Sequence, residues 1–67
     1  MSKYNLTKIK GLLIRAGIEF ETNKDIIKAH NEHQEICIIS LTESKEIVLN
    51  GKVVTDRQFE KWICNWR

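Results

Sequence analysis

The sequence predicts an α+β fold: a two-layer sandwich with an N-terminal helix, a three- or four-stranded antiparallel sheet and a C-terminal helix, both helices on one sheet face. Three observations predict it. Near one end Leu6, Ile9, Leu13 and Ala16 recur at helical spacing, and near the other Phe59, Trp62, Ile63 and Trp66 fall at i, i+3, i+4 and i+7. Between them, short runs rich in β-branched residues alternate with turn-forming residues. The chain has 67 residues, which makes a single compact domain over 1–67. A chain this short buries only about 60% of its unfolded surface, enough for one layer of helix on one layer of sheet.

The first helix is expected over roughly residues 3–16, with Leu12 widening its apolar stripe and either Ser2 or Asn5 as the cap. Gly17 stands where a left-handed residue ends a helix, and Ile18 follows as the apolar residue that folds back on the last turn. Residues 18–22 alternate, which puts Ile18 and Phe20 inward and Glu19 and Glu21 in water. Residues 23–34 are ambiguous, because Ile26 and Ile27 fit a short strand or a single helical turn; a strand near 25–30 is the reading adopted. Residues 35–41 read as a central strand, with Cys37, Ile39 and Leu41 on one face and Ile36 and Ile38 on the other. Residues 42–45 are turn-like and 46–49 form another strand. Asn50-Gly51 is the favoured two-residue hairpin turn, returning the chain through residues 52–54. The last helix starts at a capping box of Thr55 and Gln58, with Val54 and Phe59 in the staple positions.

Composition narrows the function classes. With 42% hydrophobic and 30% charged residues the chain is an ordinary globular one, and disorder is not expected. No apolar run approaches the ~20 residues that span a bilayer, and Met1-Ser2-Lys3-Tyr4-Asn5 lacks a signal peptide's apolar core. No membrane association is expected and the location is read as cytoplasmic. Cys37 and Cys64 are too few for a disulfide framework and are read as reduced. A domain of this size has no room for a deep cleft of several hundred cubic ångströms. It also carries no Gly-rich phosphate loop, Ser-His-Asp set or paired-cysteine motif, so the chain is not expected to be an enzyme, and no cofactor is expected. His30, His33, Cys37 and Cys64 are the residue types of a zinc site, but the fourth ligand stands alone and no metal is expected. Glu19, Glu21, Glu32 and Glu35 read as solvated sheet and loop charges.

Charge distribution is the clearest functional sign. Residues 1–18 carry four basic groups and no acid, residues 19–48 carry three basic and seven acidic groups, and residues 49–67 carry four basic and two acidic groups. The net +2 therefore hides a polarised molecule whose helical layer is basic on its outer side. On the first helix Lys8 and Arg15 lie opposite the apolar stripe with Gly11 between them. A mid-helix glycine costs about 1 kcal/mol relative to alanine; here it is either tolerated on a solvated face or a gap through which a partner approaches two cations. On the last helix Arg57, Lys61 and Cys64 share the outward face, and Arg67 follows. The candidate partner-binding set is Lys8, Gly11, Arg15, Arg57, Lys61 and Arg67. Ile36 and Ile38, on the sheet face that two helices leave bare, are the candidate self-association pair.

These residues fit a small protein-binding module, with a protein partner and a homodimer both expected candidates. In size and layout the chain is similar to small inhibitors of host machinery encoded by phages and mobile elements, anti-CRISPR proteins among them. A mimic of DNA is disfavoured by the basic balance. The alternative is a nucleic-acid-binding domain: the order helix, three strands, helix is similar to the double-stranded RNA-binding domain, which implies contacts from both helices and a strand-connecting loop. That family opens its second helix with lysines, where this chain has Thr55-Asp56-Arg57-Gln58.

Overall fold

The structure, a computed structural model, describes residues 3–66. It consists of α1 (Leu6–Arg15), β1 (Glu19–Asn23), β2 (Ile26–His30), β3 (Ile36–Leu41), β4 (Ile47–Leu49), β5 (Lys52–Val54) and α2 (Asp56–Asn65). The strands form one antiparallel meander in the order β1-β2-β3-β4-β5. The sheet therefore has five strands, not three or four. The strand adopted near 25–30 is β2, and the additional one is β5, the returning segment 52–54, which pairs with β4. Lys24 takes the left-handed conformation at φ 56°, which closes a tight turn pairing Asn23 with Ile26 and makes 26–30 a full strand. A second turn follows, in which the Asn31 carboxamide oxygen accepts the N–H groups of His33 and Glu35, both at 3.0 Å.

The helix ends follow the sequence. Asn5 caps α1, its side chain accepting the Lys8 N–H at 2.8 Å, so the helix starts at Leu6 and not near residue 3. Ser2, the other cap considered, lies outside the described residues. At the far end Gly17 has φ +74°, the Ile18 N–H donates to the Leu13 carbonyl at 2.9 Å, and the Gly17 N–H to that of Ile14 at 3.1 Å. These are the two bonds of a Schellman stop. The Thr55–Gln58 capping box is complete at 2.9 and 3.1 Å.

Residues paired directly across antiparallel strands share a face. The register aligns Phe20 with Ala29 and Cys37, Ile27 with Ile39 and Leu49, and Leu41 with Ile47 and Val54. These strand positions form a single core with Ile9 and Leu13 of α1 and Phe59 and Ile63 of α2, so both helices cover the same face. Phe59, Ile9, Leu13, Ile27, Ile39 and Ile47 are fully buried. Trp62 and Trp66 pack on the rim of this core, stacked with centroids 4.9 Å apart and partly exposed. The last helix thus contributes fewer buried side chains than its four large apolar residues suggest. No helix among the described residues is long and apolar enough to cross a membrane.

Candidate partner-binding surface

The outer side of the helical layer is built from the residues opposite the two buried stripes. Burying Ile9 and Leu13 turns Lys8, Gly11 and Arg15 outward, and burying Phe59 and Ile63 turns Arg57, Lys61 and Cys64 outward. All six are exposed. Lys8, Gly11 and Arg15 line one shallow, open depression with Tyr4 and Leu12, about 330 Å³ in volume. A Cβ built on Gly11 would meet nothing within 4 Å, so no packing constraint requires glycine there. The Lys8 ammonium donates to the Lys3 carbonyl at 3.3 Å, while Arg15 extends along the depression's wall. Arg57 lines a separate depression with Glu46, Thr55, Asp56 and Gln58, where two carboxylates stand beside its charge, and Lys61 lines neither depression. The basic residues of the two helices therefore do not merge into one pocket. Arg67 lies outside the described residues.

Between these sets sit the two acids of α2, both engaged by the segment leading into α1. The Lys3 backbone N–H donates to Asp56 Oδ2 at 3.1 Å, the Lys3 ammonium stands 3.4 Å from Glu60, and the Tyr4 hydroxyl donates to Glu60. The Tyr4 ring also meets Phe59 edge-on at 5.4 Å. Tyr4 is the residue that sequence reading missed. It is separated from Glu60 by 56 positions, and nothing local announces the contact.

Protonation keeps this contact in place. Burial, and then the hydrogen bond and charge of Glu60, push the Tyr4 hydroxyl up to about 12, and the hydrogen bond donated by Tyr4, together with the Lys3 ammonium, holds the Glu60 carboxyl below its usual range. A raised phenol stabilises the fold below its ordinary value of 10.0 and loses that contribution as pH rises through about 12. A lowered carboxyl contributes above the usual carboxylate range and loses its contribution as pH falls through the lowered value. Both conditions hold across neutral pH.

The residues weighed for zinc do not converge. Cys37 is buried on the helix-covered face, His30 alternates onto the opposite face, and Cys64 is exposed on α2. Among the described residues no group of three or more His, Cys, Asp or Glu side chains could hold a metal ion. The two thiols differ in reactivity for the same reason. Burial raises Cys37 to about 11, whereas Cys64 faces solvent. One thiol per native chain is expected to react promptly with an aromatic disulfide reagent at pH 8, and the second only after unfolding. Prompt reaction of both would contradict the buried position of Cys37.

The uncovered sheet face is larger than the pair of isoleucines predicted. Ile36 and Ile38 are 48% and 36% exposed, and Ile26 and Val53 join them at 45% and 50%. Ile26 was not assigned to this face because its own strand was uncertain. Compared with known proteins, the chain matches no family model, no curated sequence and no solved structure.

Proposed function

We propose that this chain is a small non-enzymatic protein-binding module that presents the basic outer faces of its two helices to an acidic surface on a protein partner. The observation that carries the reading is the state of the charges on the helical layer. Lys8 and Arg15 border an open concavity at Gly11, Arg57 and Lys61 face solvent on α2, and the layer's two acids are turned towards Lys3 and Tyr4. Complementary charge of this kind speeds encounter and selects partners more than it adds raw affinity. Gly11 gives a partner's side chain or backbone room between two cations. An inhibitor of host machinery carried by a phage or mobile element is the form of such a module that the size and layout suit.

The nucleic-acid reading uses the same faces. It is weakened by the five-stranded sheet, which departs from the three strands of the double-stranded RNA-binding layout, and by Asp56 at the first position of α2, where a phosphate would otherwise approach free N–H groups. The test is capture of partners from the native host by the wild-type chain and by the Arg15→Glu, Lys61→Glu double variant. Loss of roughly tenfold or more in affinity, with an unchanged far-UV spectrum, is the expected result. Mobility-shift titrations with duplex RNA, duplex DNA and single strands run alongside. Micromolar binding there, weakening steeply with salt, would replace the protein reading with the nucleic-acid one.

A further inference from the structure

We infer that the uncovered face of the sheet is a homodimer interface, two copies packing face to face with a twofold axis running along β3. This goes beyond the helical-layer reading and uses the opposite side of the molecule.

The register places every side chain on this face. Strand by strand from β1, one row reads Glu19, His30, Ile36; the next reads Glu21, Lys28, Ile38 and then Asn50; the third reads Asn23, Ile26, Ser40, Val48 and Val53. Asn50 joins the second row because its N–H donates to the Ile38 carbonyl at 2.8 Å and its side-chain oxygen accepts the Ile38 N–H at 2.9 Å. The apolar residues therefore sit on β3 itself and on either side of it. β3 is also the middle strand of the five.

A twofold axis lying between two facing sheets turns each position onto its mirror image across the axis. An axis along β3 sets Ile36 and Ile38 against their own copies. It sets Ile26 of β2 against the partner's Val48 on β4, since both occupy the third row. Lys28 comes opposite the partner's Asn50, whose carboxamide can accept from an ammonium. Glu19 and Glu21, on the edge strand β1, fall at the rim beyond the partner's short β4 and β5, where water reaches them.

Other axes fail on charge. An axis along β2 would press Glu19 and Glu21 against the partner's Ile36 and Ile38, desolvating two carboxylates without partners. An axis perpendicular to the strands through the middle row would set Lys28 on Lys28 and Glu21 on Glu21. Like charges opposed in an interface oppose association. Of these arrangements, the β3 axis alone sets Ile36, Ile38 and Ile26 against apolar partners and leaves the acids wet, with Ser40 on its own copy and Val53 opposite the partner's Asn23. Size agrees with this assignment. Three outward rows on β1–β3 and one on β4 and β5, with strands about 4.8 Å apart, bury somewhat under ~1,000 Å² over two copies, the size of a weak, transient interface. The dimer is therefore expected to be reversible and dependent on concentration.

The test exploits the self-contact of residue 38. In sedimentation velocity from micromolar to submillimolar concentration, the wild-type chain is expected to move from the 7.9 kDa of one chain to twice that mass. Ile38→Lys and Ile38→Glu, each alone, place like charges on the axis and are expected to weaken self-association roughly a hundredfold or more, leaving single chains. An equimolar mixture of the two is expected to recover the doubled mass, because lysine then meets glutamate across the axis. Far-UV spectra check that both variants fold; if either does not, the same pair of changes at Ile36 replaces it. A wild-type chain that stays at the single mass throughout would overturn the proposal, as would a dimer that survives Ile38→Lys. A mixture that remains monomeric would overturn the β3 axis. The Arg15→Glu, Lys61→Glu variant should dimerise like wild type, which separates failure of this interface from failure of the helical one.

Discussion

Phe59→Ala is expected to bring the chain to the edge of unfolding at 25 °C. Removing a fully buried phenylalanine costs about 3–5 kcal/mol through lost transfer energy and the cavity left behind. Against this, a domain of this length has a total stability of only about 3–10 kcal/mol, at roughly 0.05–0.15 kcal/mol per residue. Phe59 has no exposed surface, and its ring is also the contact point for Tyr4 at 5.4 Å and Trp62 at 5.8 Å. Its loss therefore loosens the joint between α2 and the segment leading into α1, as well as the core itself. Phe59→Leu keeps most of the volume and is expected to cost about 1.5 kcal/mol or less. Urea denaturation followed by tryptophan fluorescence reads both. An alanine variant within about 1 kcal/mol of wild type would show that Phe59 is not the centre of the core.

The second large effect is expected at Asn50, which has two roles. Its backbone is left-handed at φ 51°, followed by Gly51 at φ 83°, a pair of positive angles that matches the twist of the β4–β5 hairpin. Its side chain reaches across to the Ile38 N–H at 2.9 Å, extending the β3–β4 pairing by one position. Asn50→Ala loses both and is expected to cost about 2–3 kcal/mol: roughly 1 to 2 for alanine in the left-handed region and about 1 for the hydrogen bond. Asn50→Gly loses only the side-chain acceptor, so the expected order of urea midpoints is wild type, then glycine, then alanine. An alanine variant as stable as the glycine one would rule out the backbone contribution. Measurement in the Ile38→Lys background keeps self-association out of the comparison.

Much of the fold was legible because its signals are local. The Schellman stop at Gly17–Ile18, the capping box of Thr55 and Gln58 and the Asn50-Gly51 turn each depend on residues within a few positions of one another, and each appears where expected. The bounds of β2 were less legible for an equally local reason of the opposite sign. Lys24 and Gln34 adopt left-handed backbones, at φ 56° and 61°, in turns where glycine or asparagine would have announced them. Pairing along the sheet supplied what those two residues did not advertise.

The candidate surface divides in the same way. Which side chains of each helix face outward follows from periodicity alone, so Lys8, Gly11, Arg15, Arg57 and Lys61 were readable. That Asp56 and Glu60 are occupied by Lys3 and Tyr4, and that Arg57 lines a depression apart from that of Lys8 and Arg15, was not.

By itself the sequence determined the fold class, both helices, the stop of the first and the start of the second, the hairpin at Asn50-Gly51, the basic helical layer and the inward direction of Cys37. Each of these rests on spacing along the chain, where the backbone's own geometry converts position into direction. Only the tertiary structure decided that the sheet has five strands, that Ile26 joins Ile36 and Ile38 on its bare face, and that Tyr4 ties the two helices together. Those are matters of register and of contact between distant segments. Which residues meet across strands or across layers depends on how the whole chain minimises its exposed apolar surface, and no window of sequence contains that sum.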